Sequence, residues 1–286
     1  MTRPSDRVTI IFTFILILLV IFNYRKIPDS GILIVLYASI IFFQIVLTWI
    51  RRLNPFLTIS HDIIFPVMSV LIIFDSLERI VHNINPHDID YILIRLDYYI
   101  FDAYPGLIIE RIETPFLTEI LQCAYTSYYI LPIALGILLW IKGEREEFNR
   151  TVFLILLCFY LSYAGYILFP ALGPRYSMNH LYSGELRGLF FFDKIQSALN
   201  QLEGIKRDAF PSGHTAIGLT VAVLAYRFNK GFFYVTLPVV TMLVISTVYC
   251  RYHYVVDVIG GIILTAITFI IGDRIYELKK KEDPHN

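Results

Sequence analysis

Charge is scarce in this chain. Only 17% of its 286 residues are Asp, Glu, Lys or Arg, against 56% hydrophobic, whereas soluble domains carry about 25% charged residues. The 24 basic residues balance the 24 acidic ones, so net charge gives no reason to expect a nucleic acid or an acidic partner. Cysteine is nearly absent. Cys123, Cys158 and Cys250 fall in or near apolar runs at no zinc-like spacing, which points to buried thiols rather than a disulfide framework. There is no internal repeat and no low-complexity tract. A cleavage site is missing too: Arg3 and Arg7 precede the apolar run Val8 to Phe22, but Asn23-Tyr24-Arg25-Lys26 follows it, not a small-x-small motif. A retained first helix is therefore expected.

What the chain has in abundance is hydrocarbon. Mean hydropathy is +0.62. Several runs approach the ~20 apolar residues that cross a bilayer, at roughly 8–23, 32–50, 61–78, 115–141, 151–169, 212–228, 231–250 and 252–272. The fold class expected is all-α, a polytopic membrane bundle of about eight spans. Residues 79–114 break the pattern with His82, His87, Asp88, Asp90, Arg95, Asp97, Asp102 and Glu110, and read as an amphipathic interfacial segment. Eight spans put both termini on one side. The short loops there carry Arg51, Arg52, Lys142, Arg145, Arg150, Arg227 and Lys230, which makes that side cytoplasmic. Lys279 to Lys281 suit a topology anchor near lipid headgroups. His61, His82, His87 and His285 are expected at the interface or in solvent. The 170–210 connection and the starts of the 212 and 252 helices then share the extracytoplasmic face.

Against that background a few polar residues stand out, because ionisable groups at membrane depth are costly and usually functional. Pro211-Ser212-Gly213-His214 opens an apolar run. Pro suits a first turn and Ser a cap, and the N–H groups of a helix start attract anions. Gly213 admits close backbone approach, and His214 then stands beside the anion. His253 and Asp257 are four apart and share a helical face, where a carboxylate fixes one imidazole nitrogen and leaves the other as nucleophile. Gly173-Pro174-Arg175-Tyr176 follows the fifth span, and Arg175 can fork onto two phosphate oxygens. Each piece alone also fits a blander role: a helix cap, a packing ion pair, a snorkelling arginine.

Together and in this order the pieces resemble the type-2 phosphatidic acid phosphatase superfamily, whose motifs are KxxxxxxRP, PSGH and SRxxxxxHxxxD. The second is complete at Pro211 to His214, and the third matches at Ser246, His253 and Asp257. The first survives as Arg175, with Leu168 in place of the lysine and Tyr176 in place of the proline. Thr247 stands where the third motif has arginine, and Arg251, one helical turn on, is expected to supply that charge. The runs Val248-Tyr249-Cys250-Arg251-Tyr252-His253-Tyr254 and Ser127-Tyr128-Tyr129 are similar to the inositol phosphorylceramide synthase branch.

The resemblance implies a six-helix core and divides the chain into N-terminal membrane helices (1–60), a lipid phosphatase or phosphotransferase core (61–276) and a cytoplasmic tail (277–286). It implies catalysis by His253 as nucleophile, His214 as acid and base, and Asp257 as orienter. Arg175, Arg251, Ser212 and the Gly213 N–H would hold the phosphoryl group, and Tyr128, Tyr129 and Tyr176 would line a substrate pocket. No metal and no cofactor is expected; the partners are a lipid phosphoester and membrane lipids. Three functions follow: a lipid phosphate or pyrophosphate phosphatase, a phospho-headgroup transferase, or an inactive lipid-binding or transport protein.

Overall fold

Long apolar runs with few charges satisfy their backbone groups internally only as helices, and the computed structural model is built of helices. It describes residues 2–202 and 205–282; the side chains of residues 198, 200–202 and 279–282 lie outside the description. In chain order the helices are α1 (Pro4–Phe22), α2 (Ser30–Ile50), α3 (Pro55–Ile59) and α4 (Phe65–Ser76), with a π-helical turn over Ser60–Ile64 joining the last two. The short helices α5 (Glu78–Ile84), α6 (Asp90–Phe101) and α7 (Pro105–Ile109) follow. Then come α8 (Pro115–Ile141), α9 (Arg145–Leu168), α10 (Pro174–Ser177), α11 (Phe192–Leu202), α12 (Gly213–Phe228), α13 (Lys230–Tyr249) and α14 (Val255–Glu282). Capping residues fix several starts: Asn54, Thr114, Ser212 and Asn229 each accept an N–H from the first turn, satisfying donors that a helix start leaves over.

Seven segments among the described residues are long and apolar enough to cross a membrane: α1, α2, the run Pro55–Ser76, α8, α9, α13 and α14 up to Leu278. The third crosses the expected domain boundary at residue 60. The eighth expected span, α12, has only 16 residues, about 24 Å at 1.5 Å per residue and short of a ~30 Å core. An irregular segment at 205–212 precedes α12. The helix α12 is the hub of the bundle: it packs on α8, α9, α13 and α14, and most of its residues are buried. Glycines allow the tightest crossings. A side chain at Gly261 of α14 would meet the Ser212 carbonyl and Thr215, and one at Gly165 of α9 would meet Pro211. Between helices in lipid, close packing of this kind takes the place of hydrophobic exclusion.

The two ends of the bundle differ. At one end Arg150 bridges Asp273 (2.9 Å) and Glu277 (2.9 Å), and Arg227 reaches Asp273 (2.8 Å), tying α9, α12 and α14. Arg3 joins there, bonding Asn149 (3.1 Å) and Asp62 (2.9 Å). His61, expected at the interface or in solvent, is fully buried: its ring contacts Asp62 (2.8 Å) and Asp6 (3.3 Å), and Thr48 lies 3.3 Å away. The π-helical turn brings it in, between α1, α2 and α4. The tail expected from 277 continues α14 as far as Glu282; residues 283–286, His285 among them, lie outside the described residues.

The segment expected at the interface is amphipathic in an inverted sense. Helix α6 turns Asp90, Leu93 and Asp97 inward and leaves Tyr91, Tyr98, Tyr99 and Ile100 exposed. Its buried carboxylates are structural. Asp97 accepts the N–H groups of Val255 (3.1 Å) and Val256 (2.8 Å), capping α14 from outside the helix. Asp90 accepts from Leu172 (2.9 Å), Gly173 (2.9 Å) and the Tyr254 hydroxyl (2.8 Å). The segments bearing Arg175 and His253 are thereby held on one support.

Candidate active site

Two turns carry the candidate residues. The first is Gly173-Pro174-Arg175. Gly173 has φ of +83°, and a side chain there would strike the Tyr252 carbonyl, so glycine is needed on both counts. The Arg175 N–H donates to the Arg251 carbonyl at 2.8 Å. The second turn, residues 250–254, leaves α13 by folding the N–H groups of Tyr252 (3.1 Å) and His253 (2.9 Å) onto the Thr247 carbonyl. Arg251 takes a left-handed conformation (φ +63°) to make it.

His253 is buried, as are His214 and Asp257. Its Nδ1 lies 2.8 Å from the Ala209 carbonyl and 3.5 Å from Asp257 Oδ2. Both partners are acceptors, so the proton is assigned to Nδ1 and Nε2 keeps its lone pair. Burial pushes the imidazole pKa down, but the Asp257 carboxylate and the Ala209 carbonyl outweigh it, and the net shift is upward. Asp257 is itself fixed by the Tyr254 N–H at 2.8 Å, and its carbonyl accepts the Ser212 N–H at 3.0 Å. One residue thus couples the start of α12 to the start of α14.

His214 stands 5.9 Å from His253, ring centre to ring centre. It is sandwiched by Tyr125 and Tyr128 of α8, each 4.0 Å away between ring centres, with Tyr129 edge-on at 6.5 Å. The Tyr125 hydroxyl lies 3.3 Å from its Nδ1. Pro132 lies inside α8 and has no N–H to donate to the carbonyl of Tyr128, which eases the helix at the level of the sandwich.

Beside the two histidines is a cavity of about 230 Å³, with Arg175, Tyr176, Lys206, Asp208, Tyr252 and His253 in its wall. Arg175 lies over the rings of Tyr252 (5.5 Å) and Tyr176 (5.6 Å), and Lys206 Nζ lies 6.0 Å from the Tyr176 ring. Two cations and a histidine therefore share one small polar space. A second, apolar groove opens beside His214, and Asp208 lines both.

Most of the residues singled out in the sequence converge here: His253, Asp257, His214, Arg175, Tyr176, Tyr128 and Tyr129. Arg251 does not. Its guanidinium pairs with Glu113 (2.8 Å) and Glu110 (3.4 Å), donates to the Gly184 carbonyl (2.8 Å), and lies 3.8 Å over the ring of Tyr182. It is not in the cavity wall. Burial raises the Glu113 carboxyl even against Arg251. Ser212 is fully buried and its Oγ is used as the α12 cap, accepting from Thr215 at 3.3 Å. The space a side chain would need at Gly213 holds the Tyr166 hydroxyl. Sequence reasoning did not assign Lys206, Asp208 or the Ala209 carbonyl; the only available signal was their place just before the Pro211 motif.

A sequence model of the PAP2 superfamily matches residues 106–271, more than half of the chain. Among curated proteins, a PA-phosphatase related-family protein of Dictyostelium discoideum is 26% identical over 175 residues, covering 54% of this chain and 32% of the relative. The phosphoinositol dihydroceramide synthase of Bacteroides thetaiotaomicron is 28% identical over 151 residues, covering 48% of this chain and 50% of the relative. The chain thus matches half or less of the length of these two relatives. No solved structure matches it.

Proposed function

The chain belongs to the PAP2 superfamily, and from that premise we propose that it is an integral membrane lipid phosphate phosphatase working through a phosphohistidine. The observation that carries the reading is His253, held by the Ala209 carbonyl and Asp257 in the wall of a cavity that also presents Arg175. The phosphoryl group of a lipid enters this cavity from the outer leaflet. Arg175, Lys206 and the Gly213 N–H bind its oxygens and stabilise the charge of the transition state. The Nε2 lone pair of His253 forms a bond to phosphorus as the bond to the lipid oxygen breaks. His214 gives its proton to that oxygen, so a lipid alcohol leaves. Water then attacks the phosphohistidine, returning its proton to His214 and releasing phosphate. In this scheme Arg251 is a positioning residue: its ion pairs hold the turn that presents His253.

A second reading replaces water by a lipid alcohol, which makes the enzyme a phospho-headgroup transferase. Support for it comes from the phosphoinositol dihydroceramide synthase relative and from the apolar groove beside His214. Turnover in detergent on a panel of lipid phosphates and phosphodiesters, without added metal, separates the readings. Wild type is expected to release phosphate, and His253→Ala to fall to background. Product that appears only when a lipid alcohol is added assigns the transferase. A folded wild type that cleaves nothing under either condition refutes both.

A further inference from the structure

The polar cavity accounts for a phosphate but not for a lipid. The second cavity, about 200 Å³, runs between α4, α8 and α9, three segments built to lie in hydrocarbon. Its walls are Val67 and Leu71 on one side, Ile133 and Gly136 on another, and Ile155 and Phe159 on the third. One end meets the polar cavity: His214 and Asp208 are both in its wall, and Asp208 lines the two cavities together. At the other end lies Asp62, whose carboxylate is 2.9 Å from Arg3 and 2.8 Å from His61. That end is a neutralised floor, so no unpaired charge faces the apolar space.

We infer that this groove binds one hydrocarbon chain of the lipid alcohol whose oxygen His214 serves, and that Gly136 sets the length of chain it accepts. The inference rests on the reading given above for the two histidines. Its direction follows from continuity. A phosphoryl group at His253 places the scissile oxygen toward His214, and the chain attached to that oxygen must leave past His214, where the groove begins. If a lipid alcohol is instead the acceptor, its hydroxyl meets the same histidine and its chain takes the same path. The depth also fits. From Tyr128 to Gly136 is about 12 Å at 1.5 Å per residue, close to one leaflet of a ~30 Å hydrocarbon core. Gly136 is a point in the wall that carries no side chain. A β-carbon added there would lie 3.8 Å from Phe148, itself in the groove wall, in ordinary contact, so a leucine at this position fits the fold and takes up space beside the groove lining.

The test compares hydrolysis, or transfer, of a hexanoyl and a palmitoyl lipid phosphate by wild type, Gly136→Leu and Val67→Phe, which intrude from two different helices. Each variant is expected to lower the palmitoyl-to-hexanoyl rate ratio by about tenfold or more, the scale on which apolar pockets discriminate chain length. An unchanged ratio in both folded variants overturns the inference, as does an equal loss on both substrates. Binding is read separately with a palmitoyl lysophosphatidate carrying a diazirine at the chain end, photolysed on His253→Ala. Crosslinks to α4, α8 or α9 around Gly136 uphold the groove even if either variant fails to fold, and crosslinks confined to the outer surface of the bundle overturn it. If wild type turns over neither substrate, the catalytic reading fails while the crosslinking result still decides the groove.

Discussion

At the scale of single residues, Arg251 separates what spacing suggests from what the fold does. Its position one turn from the missing motif arginine makes it a natural phosphate ligand on paper. In the structure its guanidinium is sealed against Glu113, Glu110 and the Gly184 carbonyl, with Tyr182 beneath it. Arg251 is buried but Glu113 and Glu110 are partly open to solvent, so removing the guanidinium costs less than breaking a fully buried pair, which costs about 3–5 kcal/mol, whereas replacing both partners with apolar residues is often neutral. Arg251→Ala is therefore expected to lower the unfolding temperature in detergent and to reduce turnover. The pair Arg251→Met with Glu113→Leu is expected to restore most of both. Restored stability without restored turnover would show that the guanidinium does reach the phosphoryl group. Lys206 is the converse case: it has no motif to announce it, yet it shares the cavity with Arg175.

At the scale of elements, what was legible in the sequence is whatever depends on neighbours along the chain. Apolar length located the long spans. The i, i+4 spacing put His253 and Asp257 together, and Pro-Ser-Gly announced a helix start that Ser212 does cap. The rest depends on partners far apart in sequence. Nothing near Ala209 marks its carbonyl as the closer partner of His253, and nothing near residue 97 marks it as the cap of a helix that begins at 255. The acidic residues of 79–114 suggested an interfacial surface because a lone carboxylate is normally solvated, but Asp90 and Asp97 are buried because they meet backbone donors that would otherwise be unsatisfied. That cap carries a consequence for the site, since Val255 and Val256 follow His253 directly. Asp97→Ala leaves two N–H groups of α14 without their acceptor and removes a negative charge from its positive end, a loss of about 1–2 kcal/mol. Turnover should fall more than stability, because the histidine turn frays first, and Asp97→Asn should recover part of the loss. Equal turnover in Asp97→Ala and wild type would mean that the turn is held by Asp90 alone.

For the whole molecule the arrangement is a bundle with one end tied by ion pairs and the candidate site toward the other. Arg3, Lys142, Arg150 and Arg227 gather near the ends of α1, α8, α9, α12 and α14, where Arg150 and Arg227 meet Asp273. The two histidines lie toward the opposite end, where α12 starts and α13 hands over to α14. The short loops of the first end carry the basic residues that retain a segment in the cytoplasm, while the basic residues of the other end sit mostly in long connections, which count for little. The candidate site should accordingly face away from the cytoplasm. Cysteine accessibility tests this directly, because Cys158 and Cys250 are buried and only Cys123 among the three is exposed. In a Cys123→Ser background, Glu185→Cys is expected to react with a membrane-impermeant maleimide on intact cells. Lys142→Cys is expected to react only after permeabilisation. The reverse pattern would put both histidines on the cytoplasmic face, and on the proposed reading the substrate would then have to be drawn from the inner leaflet. The outcome thus fixes which leaflet supplies the substrate as well as the topology.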